Sequence, residues 1–354
     1  MRNPDSAAAK LNGLKLEGGW RVVRAIAQSP SATGGQFSNS YEVENEDGRH
    51  GFLKAFDFSR AFEPGRDTIS ELTSLLAGYM SERDILLHCK NRHHSKIVLP
   101  LDHGFTQVPN LGDQEGRVYY LILDMADGDI RSQVDVVKRL DTLSSVRALN
   151  DICLGLWQVH RDMIAHQDVK PSNVLVYKET ADFRVTDFGC ASRRGVVAPR
   201  DQLRFPGDNT YAPPEAMYGE LDSDFVKRRI GCDLYMFGNI ACFLFAGINV
   251  TANLMSHLAP QYHPGNWHGS YQLALPYLMN AFTATLEDLH HEIDEEVREV
   301  VLRMIQELCT PDVARRGHSR GIGRVSQYSL ERYVSELDLL KRRVEIRARL
   351  KKTA

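Results

Sequence analysis

The feature that most constrains this chain is a polar run at 166–173, HQDVKPSN, together with an acid that follows it. The run contains Asp168, Lys170 and Asn173, and Asp187 lies 19 positions after the first of these. An acid, a lysine, an amide and a second acid are the groups that position a transferring phosphate and neutralise its charge. A fold for this chain is therefore expected to bring the four side chains together.

Two apolar runs, 174–176 and 183–186, lie between Asn173 and Asp187. Their length and composition predict two short strands. Strands that pair as a hairpin would return Asp187 to the side of Asn173. Carboxylate and amide oxygens suit a hard cation such as Mg²⁺, so the sequence predicts that these two residues bind metal.

The run at 166–173, followed by Asp187-Phe188-Gly189, resembles the catalytic loop and metal-binding segment of the eukaryotic-type protein kinases. The resemblance implies an α+β, bilobal protein kinase fold. A small β-rich N-lobe would carry one main helix, and a larger C-lobe would be mainly α-helical. It also implies ATP and Mg²⁺ or Mn²⁺ as cofactors. Asp168 would accept the proton of the attacking hydroxyl, and Lys170 would offset charge on the phosphate.

The candidate nucleotide anchor is a lysine in a predicted upstream strand. Residues 51–56 resemble the third strand of the N-lobe, in which Lys54 would contact the α- and β-phosphates of ATP. A helical pattern places Glu82 before an apolar face, where it would pair with Lys54. Glu71 is the competing partner. Glu82 is favoured because the next expected strand, at 97–101, follows it at a suitable distance.

Residues 119–128 predict a buried strand that runs into a polar turn, and they resemble the hinge that holds the adenine of ATP. Backbone groups of Asp124 and Ala126 would bond the base, because buried polar edges need partners. The glycine-rich loop over the nucleotide is degenerate, with Gly34 and Gly35 as candidates. Glycine lets backbone N–H groups approach phosphates closely. A polar hairpin turn is the alternative interpretation of this segment.

The resemblance implies three scaffold contacts in the larger lobe. Glu215, at the end of the activation segment, would pair with Arg316. Asp233 would anchor the backbone of the catalytic loop. His166 would pack against Phe188 and take no part in proton transfer.

Gln167 departs from the family pattern, because most members carry an arginine there that binds a phosphorylated residue of the activation segment. Glutamine does not pair with phosphate as a cation does. The segment from Asp187 to Glu215 is also poor in acceptors, and its hydroxyl residues are Ser192, Thr210 and Tyr211. We therefore hypothesise that activation does not depend on phosphorylation of this segment.

Three functions are compatible with these motifs. The favoured one is a Ser/Thr protein kinase acting on a protein substrate, because tyrosine-specific relatives usually lack a lysine at the position of Lys170. A small-molecule phosphotransferase of the aminoglycoside-kinase type shares the His-x-Asp spacing, but Lys170 and Asp233 argue against it. A non-catalytic pseudokinase scaffold is suggested by the degenerate glycine loop and by Asp208. This acid stands where Ser/Thr kinases usually carry threonine, and it could bind Lys170 but repel Asp168.

Composition sets the expected organisation. A chain of 354 residues that is 43% hydrophobic can bury a large core. We expect an N-terminal extension (1–19), an N-lobe (20–125), a C-lobe (126–338) and a basic C-terminal helix or tail (339–354). No apolar run approaches the length of about 18 residues that a membrane span needs. A net charge of −3 argues against general nucleic-acid binding. Six cysteines without metal-type spacing, and no signal-peptide pattern, favour a cytoplasmic protein.

Two further segments carry weaker signals. Seven basic residues lie between Lys341 and Lys352, after apolar residues at helical spacing: Tyr333, Leu337, Leu340 and Val344. A solvated face is the first interpretation of this basic end, and a docking site for a partner is the second. Residues 253–276, which include Pro and His, predict a long insertion to which the sequence assigns no role.

Overall fold

An antiparallel sheet of five strands opens the computed structural model, which describes residues 3–27, 38–137 and 140–353. The chain separates into two units, Met1–Asp127 and Gly128–Ala354. The sheet belongs to the first unit and has the order β1-β2-β3-β5-β4. Its strands are β1 (Arg21–Ala25), β2 (Ser38–Glu44), β3 (His50–Phe56), β4 (Pro100–Gln107) and β5 (Arg117–Asp124).

The two faces of strand β3 have different surroundings because side chains alternate along a strand. Leu53 and Ala55 face a buried cluster that also contains Tyr41, Val43 and Tyr120. Lys54 therefore points to the other face. Since β3 is bonded to β2 on one side and β5 on the other, the position of Lys54 is fixed from both sides.

The N-terminal segment covers the buried face of this sheet. Ala8, Leu11 and Leu16 belong to the same hydrophobic cluster as the strands. The Tyr41 hydroxyl donates to the Ala8 carbonyl at 2.7 Å, and the Val22 amide donates to the Leu14 carbonyl at 2.9 Å. The segment that the sequence predicted as an extension thus supplies part of the core of the first unit.

One long helix, α1 (Thr68–Asn91), completes the first unit. Asp67 caps it by accepting from the amides of Ile69 and Ser70, which satisfies donors that have no partner within the helix. The strand predicted at 97–101 was placed too early, because β4 begins at Pro100. Ile97 and Val98 are buried without strand pairing, so their apolar character reflects burial.

The second unit is mainly helical. Its helices are α2 (Ile130–Val137), α3 (Thr142–Arg161), α4 (Pro214–Met217), α5 (Gly231–Ala246), α6 (Val250–His257), α7 (Tyr271–Glu292), α8 (Glu295–Cys309) and α9 (Glu331–Thr353). Two small antiparallel pairs complete it, β6 (Ile164–Ala165) with β9 (Ser192–Arg193), and β7 (Val174–Tyr177) with β8 (Asp182–Val185).

Helix α5 forms the centre of the second unit. A π-helical turn, Val226–Ile230, leads directly into it. By length and composition the stretch Val226–Ala246 could cross a membrane, but 89% of its apolar 18-residue part is buried inside the protein. Almost all residues of α5 are packed against other elements of this unit, as in the core helix of a globular domain.

The basic end of the chain is part of a continuous helix. Residue 339 lies inside α9. Among the side chains of α9 that the structure describes, the buried ones are the four apolar residues at helical spacing: Tyr333, Leu337, Leu340 and Val344. Two guanidinium nitrogens of Arg147 in α3, Nε and Nη2, donate to Glu345 at 3.0 and 2.8 Å. This stretch is therefore docked along its apolar side, and partner binding there stays a prediction.

The segment 253–276, which stays a predicted insertion, is helical at both ends. Its first residues complete α6, and its last residues begin α7, which continues through Pro276. Proline removes a helical hydrogen bond, but the burial of Ala274, Leu278 and Phe282 holds α7 against the rest of the unit. Tertiary packing therefore outweighs the local signal for a break.

Candidate active site

In the first unit, Lys54 and Glu82 form a close ion pair. The Lys54 ammonium donates to the two carboxylate oxygens of Glu82 at 2.7 and 2.9 Å. The Glu82 side chain is 3% exposed and that of Lys54 is 15% exposed. The alternative partner, Glu71, lies one turn inside the start of α1 and pairs with Arg60 and Arg66. The predicted contact between Lys54 and Glu82 is thus present.

The predicted hinge begins where strand β5 ends. Leu123 is buried and pairs with Phe52 across the sheet. The Asp124 side chain accepts from Arg49 at 2.9 Å, so its carboxylate is engaged at the surface. Base binding by the backbone of Asp124 and Ala126 stays a prediction. Gly34 and Gly35, the candidates for the loop over the phosphates, lie outside the described residues.

In the second unit, the β7–β8 hairpin brings Asp187 beside the catalytic loop, as the apolar runs predicted. Val174 pairs with Val185, and the Thr186 amide donates to the Asn173 carbonyl at 3.0 Å. Asp187 itself has a left-handed backbone, with φ at 63°. Non-glycine residues seldom adopt this conformation, and they do so mostly at constrained sites.

Asp168 is held by three neighbours. The Asn173 amide nitrogen donates to its carbonyl at 2.8 Å and to Oδ2 at 2.9 Å. The Lys170 ammonium lies 3.0 Å from the same Oδ2, and the Asp208 amide donates to Oδ1 at 2.8 Å. Burial raises the pKa of Asp168, while the positive charge of Lys170 opposes that change.

Asp208 contacts the Asp168 carboxylate through its backbone N–H. The expected repulsion between the two carboxylates is therefore avoided. The Asp208 carboxylate lies 3.6 Å from Lys170 and caps a short turn by accepting from the Thr210 amide at 3.0 Å. Burial alone would lower the pKa of Lys170, but the charges of Asp168 and Asp208 outweigh burial and raise it. Lys170 therefore stays a cation between two acids.

The donor set at Asn173 and Asp187 fits a hard divalent cation. Because the Asn173 nitrogen is engaged with Asp168, its amide oxygen is the atom that could coordinate metal. Asp187, two residues after the end of β8, would add a carboxylate. Oxygen ligands of this kind suit Mg²⁺ and Mn²⁺ alike.

A buried acid in α5, Asp233, holds the backbone of the catalytic loop. Asp233 accepts from the backbone amides of His166 at 2.7 Å and Gln167 at 2.8 Å. His160 contacts the same carboxylate at 2.8 Å. The His166 ring packs against Phe188 with 4.7 Å between ring centroids, as predicted. These contacts fix the backbone from which Asp168 and Lys170 project.

The predicted pair of Glu215 and Arg316 is present and buried. Nη1 and Nη2 of Arg316 donate to the two carboxylate oxygens at 2.5 and 2.8 Å. Arg316 also donates to the carbonyls of Thr310 and Gly231. Burial alone would lower the pKa of Arg316, but Glu215 more than offsets it and the pKa is raised.

Sequence reasoning missed two residues that shape this site. A side chain at Gly207 would place its Cβ 2.2 Å from the Gln167 carbonyl oxygen, so only glycine fits where the activation segment crosses the catalytic loop. Arg229, which is 5% exposed, donates to the Gln167 side chain at 3.1 Å. The glycine that precedes Asp208 in the sequence could have indicated a close backbone approach at this point. No local pattern indicated that Arg229 is buried against Gln167.

Comparison with known proteins agrees with this arrangement. A family model described as "Protein kinase domain" matches residues 35–318. The chain therefore belongs to the protein kinase family.

The curated relatives that match are remote in sequence. The Serine/threonine-protein kinase PknB of Mycolicibacterium smegmatis is 29% identical over 147 residues, which is 40% of this chain and 23% of the relative. Aurora/IPL1-related protein kinase 2 of Caenorhabditis elegans is 29% identical over 133 residues, 37% of this chain and 40% of the relative. Calcium-dependent protein kinase 4 of Plasmodium falciparum is 24% identical over 139 residues, 38% of this chain and 24% of the relative. The chain thus spans less than half the length of these relatives.

Proposed function

We propose that this protein is a Ser/Thr protein kinase that transfers the γ-phosphate of ATP to hydroxyl groups of a protein substrate. The observation that carries the proposal is the bonded set formed by Asp168, Lys170 and Asn173, with Asp187 returned beside it. The remote relatives named as serine/threonine kinases support the choice of acceptor. We also propose a cytoplasmic location, which the six free thiols support.

Each residue has a role that its surroundings support. Asp168, whose pKa burial raises, is suited to take a proton from an attacking hydroxyl. Lys170 remains charged between two acids and would offset charge on the transferring phosphate. Lys54, oriented by Glu82, would bind the α- and β-phosphates. Mg²⁺ bound at Asn173 and Asp187 would neutralise phosphate charge.

The proposed kinase does not need phosphorylation of its activation segment. Gln167 is neutral and buried. Of the three hydroxyl residues in the segment, Ser192 and Tyr211 are buried and Thr210 bonds to Asp208 at 2.7 Å. A single exposed hydroxyl that already donates to Asp208, the cap of the turn, is a poor regulatory site. Activity after phosphatase treatment is therefore expected to equal that of the untreated protein.

The function is tested with labelled ATP, Mg²⁺, a mixture of protein acceptors and a panel of aminoglycosides. We expect label on serine or threonine of protein, and a loss of about 10²- to 10⁴-fold in Asp168→Ala because a positioned base is removed. The matched control is Glu179→Gln, an exposed acid in the turn of the same β7–β8 hairpin, which is expected to keep the rate. Label only on aminoglycosides, or ATP binding without transfer, would contradict the proposal.

A further inference from the structure

Arg229 joins the catalytic loop to the activation segment through one buried guanidinium. Its Nη1 donates to the Gln167 side-chain oxygen at 3.1 Å. Its Nη2 donates to the Asp201 carbonyl at 2.7 Å and lies 3.6 Å from the Asp201 carboxylate. Since Gln167 precedes Asp168 and Asp201 lies in the middle of the activation segment, this side chain links two elements that must be held together for catalysis.

Asp201 organises the part of the segment around it. One carboxylate oxygen accepts from the Ser192 hydroxyl at 2.7 Å, and the other accepts from the Ala198 amide at 2.8 Å. Ser192 belongs to β9, which pairs with β6 immediately before the catalytic loop. The carboxylate thus closes the loop between residues 192 and 201 and places it over Arg229.

Gln167 matches the charge of this site. Its side-chain nitrogen donates to the Arg229 carbonyl at 2.7 Å and to Asp233 at 3.1 Å, while its oxygen accepts from Arg229. An arginine at 167 would bring a second cation to the buried guanidinium and remove that acceptor. Burial and the neighbouring Arg228 lower the pKa of Arg229, and the negative charge of Asp201 opposes this. The neutral Gln167 amide and the Asp201 carboxylate, with the negative charge of Asp233 nearby, therefore balance the Arg229 cation without a phosphate.

We propose that Asp201 and Arg229 are positioning residues that hold the activation segment against the catalytic loop, with Asp201 as a permanent anion built into the segment. The inference rests on the proposed kinase function and gives its independence of phosphorylation a physical cause. The phosphate that such a segment would otherwise need is replaced by a carboxylate supplied by the chain. Neither residue touches the reacting atoms, so the pair should affect turnover more than nucleotide binding.

The test compares wild-type protein, shown by intact mass to be unphosphorylated, with Asp201→Asn and Asp201→Glu. In Asp201→Asn the Asp201 carbonyl and Gln167 still accept from Arg229, but the negative charge and one of the two acceptor oxygens are lost. The segment should therefore loosen and kcat should fall about 10- to 100-fold, with KM for ATP within about threefold. Trypsin should cleave the segment at Arg194 and Arg204, both exposed, about tenfold faster because proteolysis follows the open population. Asp201→Glu should recover most of both readouts.

The matched control is Asp222→Asn, which removes an acid from a pair of the same length. Asp222 lies 3.6 Å from Lys227, but both side chains are exposed, at 39% and 53%, so neither readout should change. Normal turnover and normal trypsin resistance in Asp201→Asn would overturn the inference and leave the kinase function standing. If wild-type protein transfers no phosphate, the kinase proposal fails, and trypsin cleavage alone then decides whether Asp201 tethers the segment.

Discussion

Each unit contains an acid–base pair in which both carboxylate oxygens accept from the same cationic side chain, but the two pairs differ in role. Lys54 lies in the middle strand of the sheet and Glu82 in helix α1, and 15% of the lysine side chain is exposed. Arg316 and Glu215 are enclosed, and the arginine is 0% exposed. Both pairs were expected from the sequence, and in both the acid lies on or beside a helix. The difference lies in what else the cation can reach.

The hydrogen-bond donors of Arg316 all contact groups inside the second unit. Besides Glu215 it bonds to the carbonyls of Thr310 and Gly231, so it ties together three separate stretches of the second unit. Lys54 has a compact ammonium on a flexible stem, and its exposed part can meet a ligand. Burial therefore separates a pair that stabilises a fold from one that can take part in binding.

The comparison is tested most strongly by Arg316→Met. The change leaves the Glu215 carboxylate buried without its cation, and removal of one partner of a buried pair costs about 3–5 kcal/mol. Urea unfolding followed by circular dichroism should show a loss of that size in the free energy of unfolding. In the double variant Arg316→Met/Glu215→Leu at least about half should return, because no charge is left unpaired. A double variant less stable than the single one would argue against this account.

Lys54→Met should show the reverse balance. We expect kcat/KM for ATP-dependent transfer to fall about 10²- to 10³-fold, as when one charge-stabilising donor is lost. The cost in unfolding free energy should be smaller than in Arg316→Met, at about 1–3 kcal/mol, because Lys54 is partly exposed and water can reach the Glu82 carboxylate once the ammonium is removed. The control is Lys10→Met, an exposed lysine of the same unit, which should alter neither quantity. A larger stability loss than in Arg316→Met would remove the distinction between the pairs.

The parts of the site predicted from sequence are those set by local order. The β7–β8 hairpin follows from two apolar runs and a short turn, and it returns the chain from Asn173 to Asp187. The Lys54–Glu82 contact required a choice between two acids of α1, and the spacing of the next apolar run led to the correct one even though β4 begins at Pro100. The apolar run at 97–101 thus predicted burial more accurately than it predicted the start of a strand.

The missed parts depend on contacts between distant residues. Gln167 and Arg229 are 62 positions apart, and a single arginine in a charged stretch has no pattern that predicts burial. The N-terminal segment also lacks a period, because its 3₁₀ turn at Ala7–Ala9 and its loop at Leu11 bury small or isolated side chains. Periodicity reports regular elements, so irregular segments that join a core are not visible to it.

The smallest expected effect distinguishes the two glutamates of helix α1, Glu82 and Glu71. Glu82→Gln keeps the shape but removes the charge that holds Lys54 at 2.7 Å, and it should lower kcat/KM about tenfold because a charge-assisted bond becomes a neutral one. Glu71→Gln should leave activity within about twofold, since its partners Arg60 and Arg66 are surface residues. Both variants are measured with the same protein acceptor and a titration of ATP. Equal losses would mean that any acid on α1 supports the site through general charge, whereas a loss confined to Glu82→Gln ties it to the orientation of Lys54.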